Sequence, residues 1–305
     1  MTDAKIKNKR RINGVLLLDK AVGLSSNAAL QQVRRLYNAQ KAGHTGVLDP
    51  AASGLLPICF GEATKFAQYL LDADKTYIAT LRTGASTDTG DAEGVITQTC
   101  DFLPDEQTFQ AACNDFLGES EQIPPMYSAL KYQGRALYDY ARSGIEIERK
   151  SRLIHIKNIE ILSFRLPEII LSISCSKGTY IRVLAEDIAK KAGTLAHLTA
   201  LRRTATAGFI IEQAHSYEKL NTLNEQELDN LLLPCEAGLT HLPEMILPDK
   251  DICALQQGKI LQVYENQDIM RPFRIYTSKK RFIGLAQNFS GILKPLRLMS
   301  TEAER

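Results

Sequence analysis

Apolar residues recur along the chain at two spacings, and the switch between them marks out the elements. Residues 12–18 form an almost unbroken apolar run, as in a short buried strand, and residues 19–26 collect turn and capping types. Ala29, Leu30, Val33, Leu36 and Tyr37 then fall at helical spacing, with Ser26 or Asn27 available as the cap. Phe66, Ala67, Leu70 and Leu71 predict a second helix over residues 62–71. Residues 75–83 alternate as a strand, with Tyr77, Ala79 and Leu81 on one face and Ile78, Thr80 and Arg82 on the other. A polar loop over 83–94 and a helix over 104–117 follow.

The prolines of 123–129 extend that stretch, and 134–143 reads as a helix carrying Leu137, Tyr138 and Ala141. Residues 154–164 and 169–175 look like paired strands. Lys177-Gly178 turns the chain, and Thr179 can cap a helix whose Ile181, Leu184, Ala185, Ile188 and Ala189 make the clearest amphipathic stripe in the sequence. Residues 221–233 read as an acidic surface helix, and 234–248, with three prolines, as a connector. Beyond it, β-rich runs at 260–263, 273–277, 282–286 and 293–299 predict a small β-barrel.

With 305 residues, 44% of them hydrophobic, the chain has material for one large core and a small second domain. The formal charge of +2 announces no nucleic-acid partner in bulk, but both ends are basic. Residues 1–12 hold Lys5, Lys7, Lys9, Arg10 and Arg11 against Asp3, and residues 250–300 hold nine Lys or Arg against three acidic residues. The segment up to Arg152 interleaves Lys and Arg with Tyr, which suits RNA, since charges meet phosphates and rings stack on unpaired bases. A solvated helical hairpin has the same composition. The run Val15-Leu16-Leu17-Leu18 is too short for a signal peptide, and nothing is long enough to span a membrane. Six cysteines without a Cys-x-x-Cys pair or a histidine at zinc spacing predict reduced thiols in a cytoplasmic protein.

Chemistry concentrates in Gly43-His44-Thr45-Gly46-Val47-Leu48-Asp49-Pro50. Asp49-Pro50 alone reads as a helix start, with Asp as the N-cap and Pro in the first turn. The glycines and Pro50 equally suit a carboxylate held on an irregular segment. Asp88, Asp91 and Glu93 lack calcium-loop spacing and predict a solvated turn. Arg182 lies in the first turn of its helix, off the apolar stripe, where it opposes the dipole unless a carboxylate or phosphate lies near. Arg202 and Arg203 carry the same ambiguity.

The string from Gly43 through Ala51-Ala52-Ser53-Gly54-Leu55-Leu56-Pro57 closely resembles the catalytic motif of the TruB family, the bacterial tRNA pseudouridine-55 synthases. Asp19-Lys20-Ala21-Val22-Gly23-Leu24-Ser25-Ser26 resembles the family's first motif, with Ala21 in place of its usual proline. Tyr127-Ser128-Ala129-Leu130-Lys131 with Gly134-Arg135 is similar to its RNA-gripping insertion, and Lys177-Gly178-Thr179-Tyr180-Ile181-Arg182 to its third motif, with Lys177 where a serine is frequent. The resemblance covers residues 12–299 and is weaker at the C-terminal end.

It implies an α+β pseudouridine synthase fold with a long mixed sheet and a central cleft. The domains would be a basic tail at 1–11, a catalytic domain at 12–247 with the RNA insertion at about 118–152, and a PUA-like RNA-binding domain at 248–305. The activity implied is isomerisation of the T-loop uridine of tRNA, with no metal or diffusible cofactor, no guide RNA, no protein partner and a monomeric enzyme. Asp49 would be the essential carboxylate, Arg182 its charge partner and Tyr77 the residue stacked on the base. His44 would fill the gap left by the flipped base, Tyr180 and Leu201 would line the base pocket, and Lys20 would contact the active-site loop or RNA. Two rivals share the scaffold: a tRNA-folding chaperone in which catalysis is secondary, and a guide-dependent synthase, against which the long insertion speaks. A serine or metal hydrolase lacks both a Gly-x-Ser-x-Gly elbow and a ligand cluster.

Overall fold

Residues 8–262 and 271–300 are described by the computed structural model of the chain. They fall into two units, residues 8–49, 55–71, 207–262 and 271–300 in the first and residues 50–54 and 72–206 in the second.

In the first unit the apolar run forms the strand Gly14–Lys20, buried along nearly its whole length. It lies between His215–Ser216 and Ala52–Phe60 in its sheet, and the unbroken pattern reflects burial of both its faces. The helix Ser26–Leu36 follows and buries Ala29, Leu30 and Val33. Its cap is Ser25, whose side chain accepts from the Ala28 N–H, one residue earlier than the sequence suggested. The helix predicted over 62–71 is instead a 3-10 turn, Gly61–Lys65, and a short α-helix, Ala67–Leu71. The fully buried Phe66 lies at the break between them.

The C-terminal part is a five-stranded sheet in the order Glu244–Leu247, Pro272–Thr277, Phe282–Phe289, Ile292–Leu298, Leu261–Gln262. Its first strand precedes Pro248 and pairs in parallel with Pro272–Thr277. Helix Asp249–Gln256, which the sequence pattern did not reveal, places Ile252 and Leu255 in a small core with Phe273, Ile275 and Leu293. Two buried positions in eight residues are too few to announce a periodicity. The predicted run at 260–263 is a two-residue strand, Leu261–Gln262, and Val263 lies outside the described residues. Tyr276, Phe282 and Leu285 join Val15, Leu17, Leu55, Phe66 and Leu70 in one core, with the Phe66 and Phe282 rings 5.2 Å apart. The acidic helix shortens to Glu225–Asn230, fixed by a capping box between Asn224 and Glu227.

In the second unit the start of Ala52–Phe60 lies beside Ala196–Thr206, followed by Lys75–Thr83, Glu168–Cys175, Arg152–Arg165 and Gly118–Gln122. The first pairing is parallel and the rest are antiparallel, so the sheet is mixed and the class is α+β. Gly54 is required where the first two strands meet. Its φ is +107° and a Cβ would lie 2.3 Å from the Arg203 carbonyl oxygen. Tyr77, Ala79 and Leu81 are buried, as the alternation predicted. Helices Glu106–Asn114 and Ile181–Lys191 pack on this sheet, with Phe109 and Phe164 rings 6.0 Å apart. The helix predicted over 134–143 is confined to Leu137–Ala141, because Gln133 and Gly134, both at positive φ, turn a small hairpin between Lys131–Tyr132 and Arg135–Ala136.

Candidate active site

The loop that carries Asp49 is tied down residue by residue within the first unit. His44 ends the strand Ala42–His44 and lies opposite Ile58 of Ala52–Phe60. Thr45 is fully buried, and its N–H donates to the Pro57 carbonyl at 3.1 Å. Gly46 takes φ +132°, which suits glycine alone. Leu48 is buried, and the Ser26 hydroxyl meets both its backbone groups, at 2.7 Å from the N–H and 3.1 Å from the carbonyl. Asp49 itself is half-buried. No helix starts at Asp49-Pro50. The chain enters the strand Ala52–Phe60, whose Gly54 and Pro57 would sit badly inside a helix, so the capping reading of this pair is corrected.

Lys20 is 1% exposed, and its ammonium donates to the Ala21 and Leu24 carbonyls at 2.8 and 2.7 Å. It braces the turn after its strand from within. Arg10, part of the basic N-terminal run, is ion-paired with Asp229 and Glu225.

Arg182, in the first turn of its helix and off the apolar stripe, is buried all the same, at 6% exposure, so the exposed alternative falls away. Its Nη1 donates to the Thr89 carbonyl and its Nη2 to the Tyr127 carbonyl, both at 2.7 Å. Asp91 Oδ2 lies 3.4 Å from Nη1. Asp91 is only 7% exposed, so the solvated turn expected there is wrong for this residue. Its Oδ1 accepts from Thr89 Oγ1 at 2.6 Å and from the Glu93 N–H at 3.1 Å, which makes the acidic loop a scaffold for a guanidinium. Buried charge is tolerated where it is paired and hydrogen-bonded, and this loop supplies both conditions.

The N-cap of the Arg182 helix is Tyr180, with no side-chain cap. Thr179, the expected cap, donates instead to the Ser176 carbonyl. Gln122 supplies what is missing: its Oε1 accepts from the Tyr180 N–H at 2.8 Å and its Nε2 donates to the Tyr180 carbonyl at 3.1 Å. The Arg152 guanidinium lies 4.6 Å from the centre of the Tyr180 ring. Tyr77 is 8% exposed and lies between Ile173 and Arg203 on the neighbouring strands. Leu201, half-buried, lies opposite Ala79 and Ala52. Arg203 is fully buried.

Of the residues singled out in the sequence, Lys20, His44 and Asp49 thus belong to the first unit, and Tyr77, Tyr180, Arg182 and Leu201 to the second. Ser26, Asp91, Gln122 and Arg152 were missed as support. Asp91 is one acid among several in a polar loop, and Gln122 sits at a strand end, so neither carries a pattern. In the insertion the rings are already stacked on arginines, Arg135 at 4.7 Å from Tyr140 and Arg142 at 5.4 Å from Tyr138. Among the described residues there is no group of three or more side chains placed to hold a metal, and no helix is long and apolar enough to cross a membrane.

Three family models match in succession: the N-terminal domain of TruB family pseudouridylate synthases over residues 34–181, the tRNA pseudouridylate synthase B C-terminal domain over 182–240, and the C-terminal model of pseudouridine synthase II TruB over 243–299. A protein of Neisseria meningitidis serogroup B named tRNA pseudouridine synthase B is 56% identical over 97% of each chain. One of the same name from Thiobacillus denitrificans is 48% identical over 96% of this chain and 98% of its own. Among solved structures, a Cbf5-Nop10-Gar1 complex contains a chain 25% identical at TM-score 0.73, covering 95% of this chain and 86% of that one. An archaeal box H/ACA Nop10-Cbf5 complex matches at 24% identity and TM-score 0.69.

Proposed function

The chain belongs to the TruB family of pseudouridylate synthases, and from that premise we propose that it isomerises the T-loop uridine at position 55 of tRNA to pseudouridine. The observation that carries this reading is 56% identity over 97% of both chains to a relative named tRNA pseudouridine synthase B. An alignment of 297 residues takes in the whole stretch from Lys20 to Leu201. Such identity favours an enzyme over a scaffold that only binds and refolds tRNA.

The reaction breaks the bond between the base nitrogen and the sugar, turns the base, and rejoins it through carbon 5, which loses its proton. Asp49 supplies the ionised carboxylate, and attack on the sugar, attack on the base and proton removal towards a glycal all start from that group. Its support is the anchored loop, which fixes a carboxylate on rigid backbone. Arg182 provides a fixed positive charge, held by two carbonyls and Asp91. Tyr77 stacks on the target base and exchanges a proton at its carbon 5, the hydroxyl giving up one proton as it takes the other. The base has to leave its stack at a cost of a few kcal/mol; His44 fills the space it leaves, and Tyr180 and Leu201 line its pocket.

The enzyme acts in the cytoplasm as a single chain on the T-arm, without guide RNA or protein partner and with no cofactor. The insertion at 118–152, with its arginine–tyrosine stacks, supports direct grip on RNA. We read residues 12–247 as the catalytic domain and 248–305 as a PUA-like RNA-binding domain, with Glu244–Leu247 lending the latter its first strand. The test is tritium release from T-arm RNA labelled at carbon 5, with wild type and Asp49→Asn compared in the absence of metal and guide RNA. Release by wild type that vanishes in the variant, while RNA binding persists, is the expected result. A folded wild type that binds the RNA and releases nothing overturns the reading.

A further inference from the structure

We propose that Ser26 is a positioning residue for Asp49, acting through the backbone of Leu48; the inference rests on the reading of Asp49 as the catalytic carboxylate. Ser26 is the first residue of the helix Ser26–Leu36, one position past the N-cap. Here Ser25 does the capping, so the Ser26 hydroxyl is released for another task. It is 2% exposed and points at a segment 22 residues further along the chain.

One hydroxyl engages both polar groups of one residue: it accepts from the Leu48 N–H at 2.7 Å and donates to the Leu48 carbonyl at 3.1 Å. That carbonyl shares its peptide plane with the nitrogen and Cα of Asp49, because the bond between them does not rotate. Holding the carbonyl therefore holds the plane from which the Asp49 side chain departs. Val47, on the other side of Leu48, is 58% exposed, and Gly46 occupies a backbone region open mainly to glycine. Leu48 is thus the buried point through which helix geometry reaches the carboxylate.

A merely structural role predicts something different. Alanine is a better helix former than serine and fills nearly the same space, so loss of the hydroxyl leaves the helix itself intact or improved. What is lost is the tether to Leu48.

The experiment compares wild type, Ser26→Ala, Ser26→Thr, Ser26→Cys and Asp49→Asn in single-turnover reactions on T-arm RNA, with RNA affinity and thermal unfolding measured beside them. Ser26→Ala is expected to slow the reaction about 10- to 100-fold through small displacement of the carboxylate, with RNA affinity within about twofold of wild type. Ser26→Thr retains a hydroxyl and should recover most of the rate, and the thiol of Ser26→Cys, a weak donor, should fall between. Faster hydrogen exchange at the Leu48 amide in Ser26→Ala is the accompanying structural signature. Should Ser26→Ala not fold, the Thr and Cys variants decide the order. A folded Ser26→Ala that reacts at the wild-type rate, or a Thr variant as slow as Ala at unchanged stability, overturns the proposal. Turnover by Asp49→Asn would bring down the catalytic reading as well, and would be seen separately.

Discussion

Gln122 grips Tyr180 by both of its backbone polar groups, with the amide oxygen on the N–H and the amide nitrogen on the carbonyl. The donor and acceptor demands fix the orientation of the amide. The effect is a helix cap delivered from another strand, two residues ahead of Arg182. Gln122→Ala is expected to lower stability by about 1–3 kcal/mol, the range for buried polar groups left without partners. Urea unfolding measures that loss. The same variant should lower kcat more than it raises KM, since the Arg182 guanidinium loses its fixed origin while RNA contacts elsewhere remain.

Asp91 and Arg182 form a buried pair with 10% and 7% side-chain exposure. Removing one partner of such a pair leaves a charge in a place built for two. Asp91→Ala is therefore expected to destabilise the protein by about 3 kcal/mol and to reduce turnover. Asp91→Asn, which keeps an acceptor for Thr89 and the Glu93 N–H, should be milder in both. Denaturant unfolding and single-turnover rates on T-arm RNA decide the matter, and equal stability of Asp91→Ala and wild type would remove the scaffold role.

How much of this was legible in the sequence differs between elements for physical reasons. Tyr77 could be placed because a half-buried strand alternates with period two, and Lys75–Thr83 obeys that pattern throughout. Arg182 could not, since helical periodicity sorts apolar from polar residues and has no means of expressing a buried cation. Its burial depends on carbonyls of Thr89 and Tyr127, far away in the chain. Asp91 failed for the same reason. Ser25 and Ser26 are adjacent and chemically alike, yet one caps a helix and the other holds Leu48. At Asp49 the glycines and proline left a helix cap and an irregular loop both open, and only the wider motif favoured the loop, because Asp-Pro makes the same local demand in either setting.

The cysteines offer a direct check on the core. Burial pushes the thiols of Cys59, Cys113 and Cys235 up to about 12 and that of Cys175 to about 11, which holds them protonated at neutral pH. Cys253 is exposed and Cys100 half-buried. A thiol reagent at pH 8 is expected to modify Cys253 first and to reach the four buried thiols only as the protein unfolds. Rapid reaction of Cys59 or Cys235 in the native protein would contradict the packing of the first unit.

Lys75 gives the fold a pH dependence whose sign can be worked out. Burial, and then repulsion from the fully buried Arg203 on the neighbouring strand, bring its ammonium down to about 8 from an ordinary value of 10.5. Below pH 8 the residue is charged whether the chain is folded or not, and the fold carries the full cost of that charge. Between 8 and 10.5 the unfolded chain holds more protons than the folded one, so this contribution to stability improves as pH rises, and above 10.5 the cost is gone. Lys75→Met removes the linkage while keeping a similar apolar stem. The stability of the variant relative to wild type, from urea unfolding, should therefore be greatest at pH 7 and narrow by something on the order of 2 kcal/mol by pH 9.5. Comparing the two proteins at each pH cancels the titration of the other lysines and tyrosines. A difference that stays constant across this range would show that Lys75 titrates near its ordinary value, and that Arg203 does not act on it.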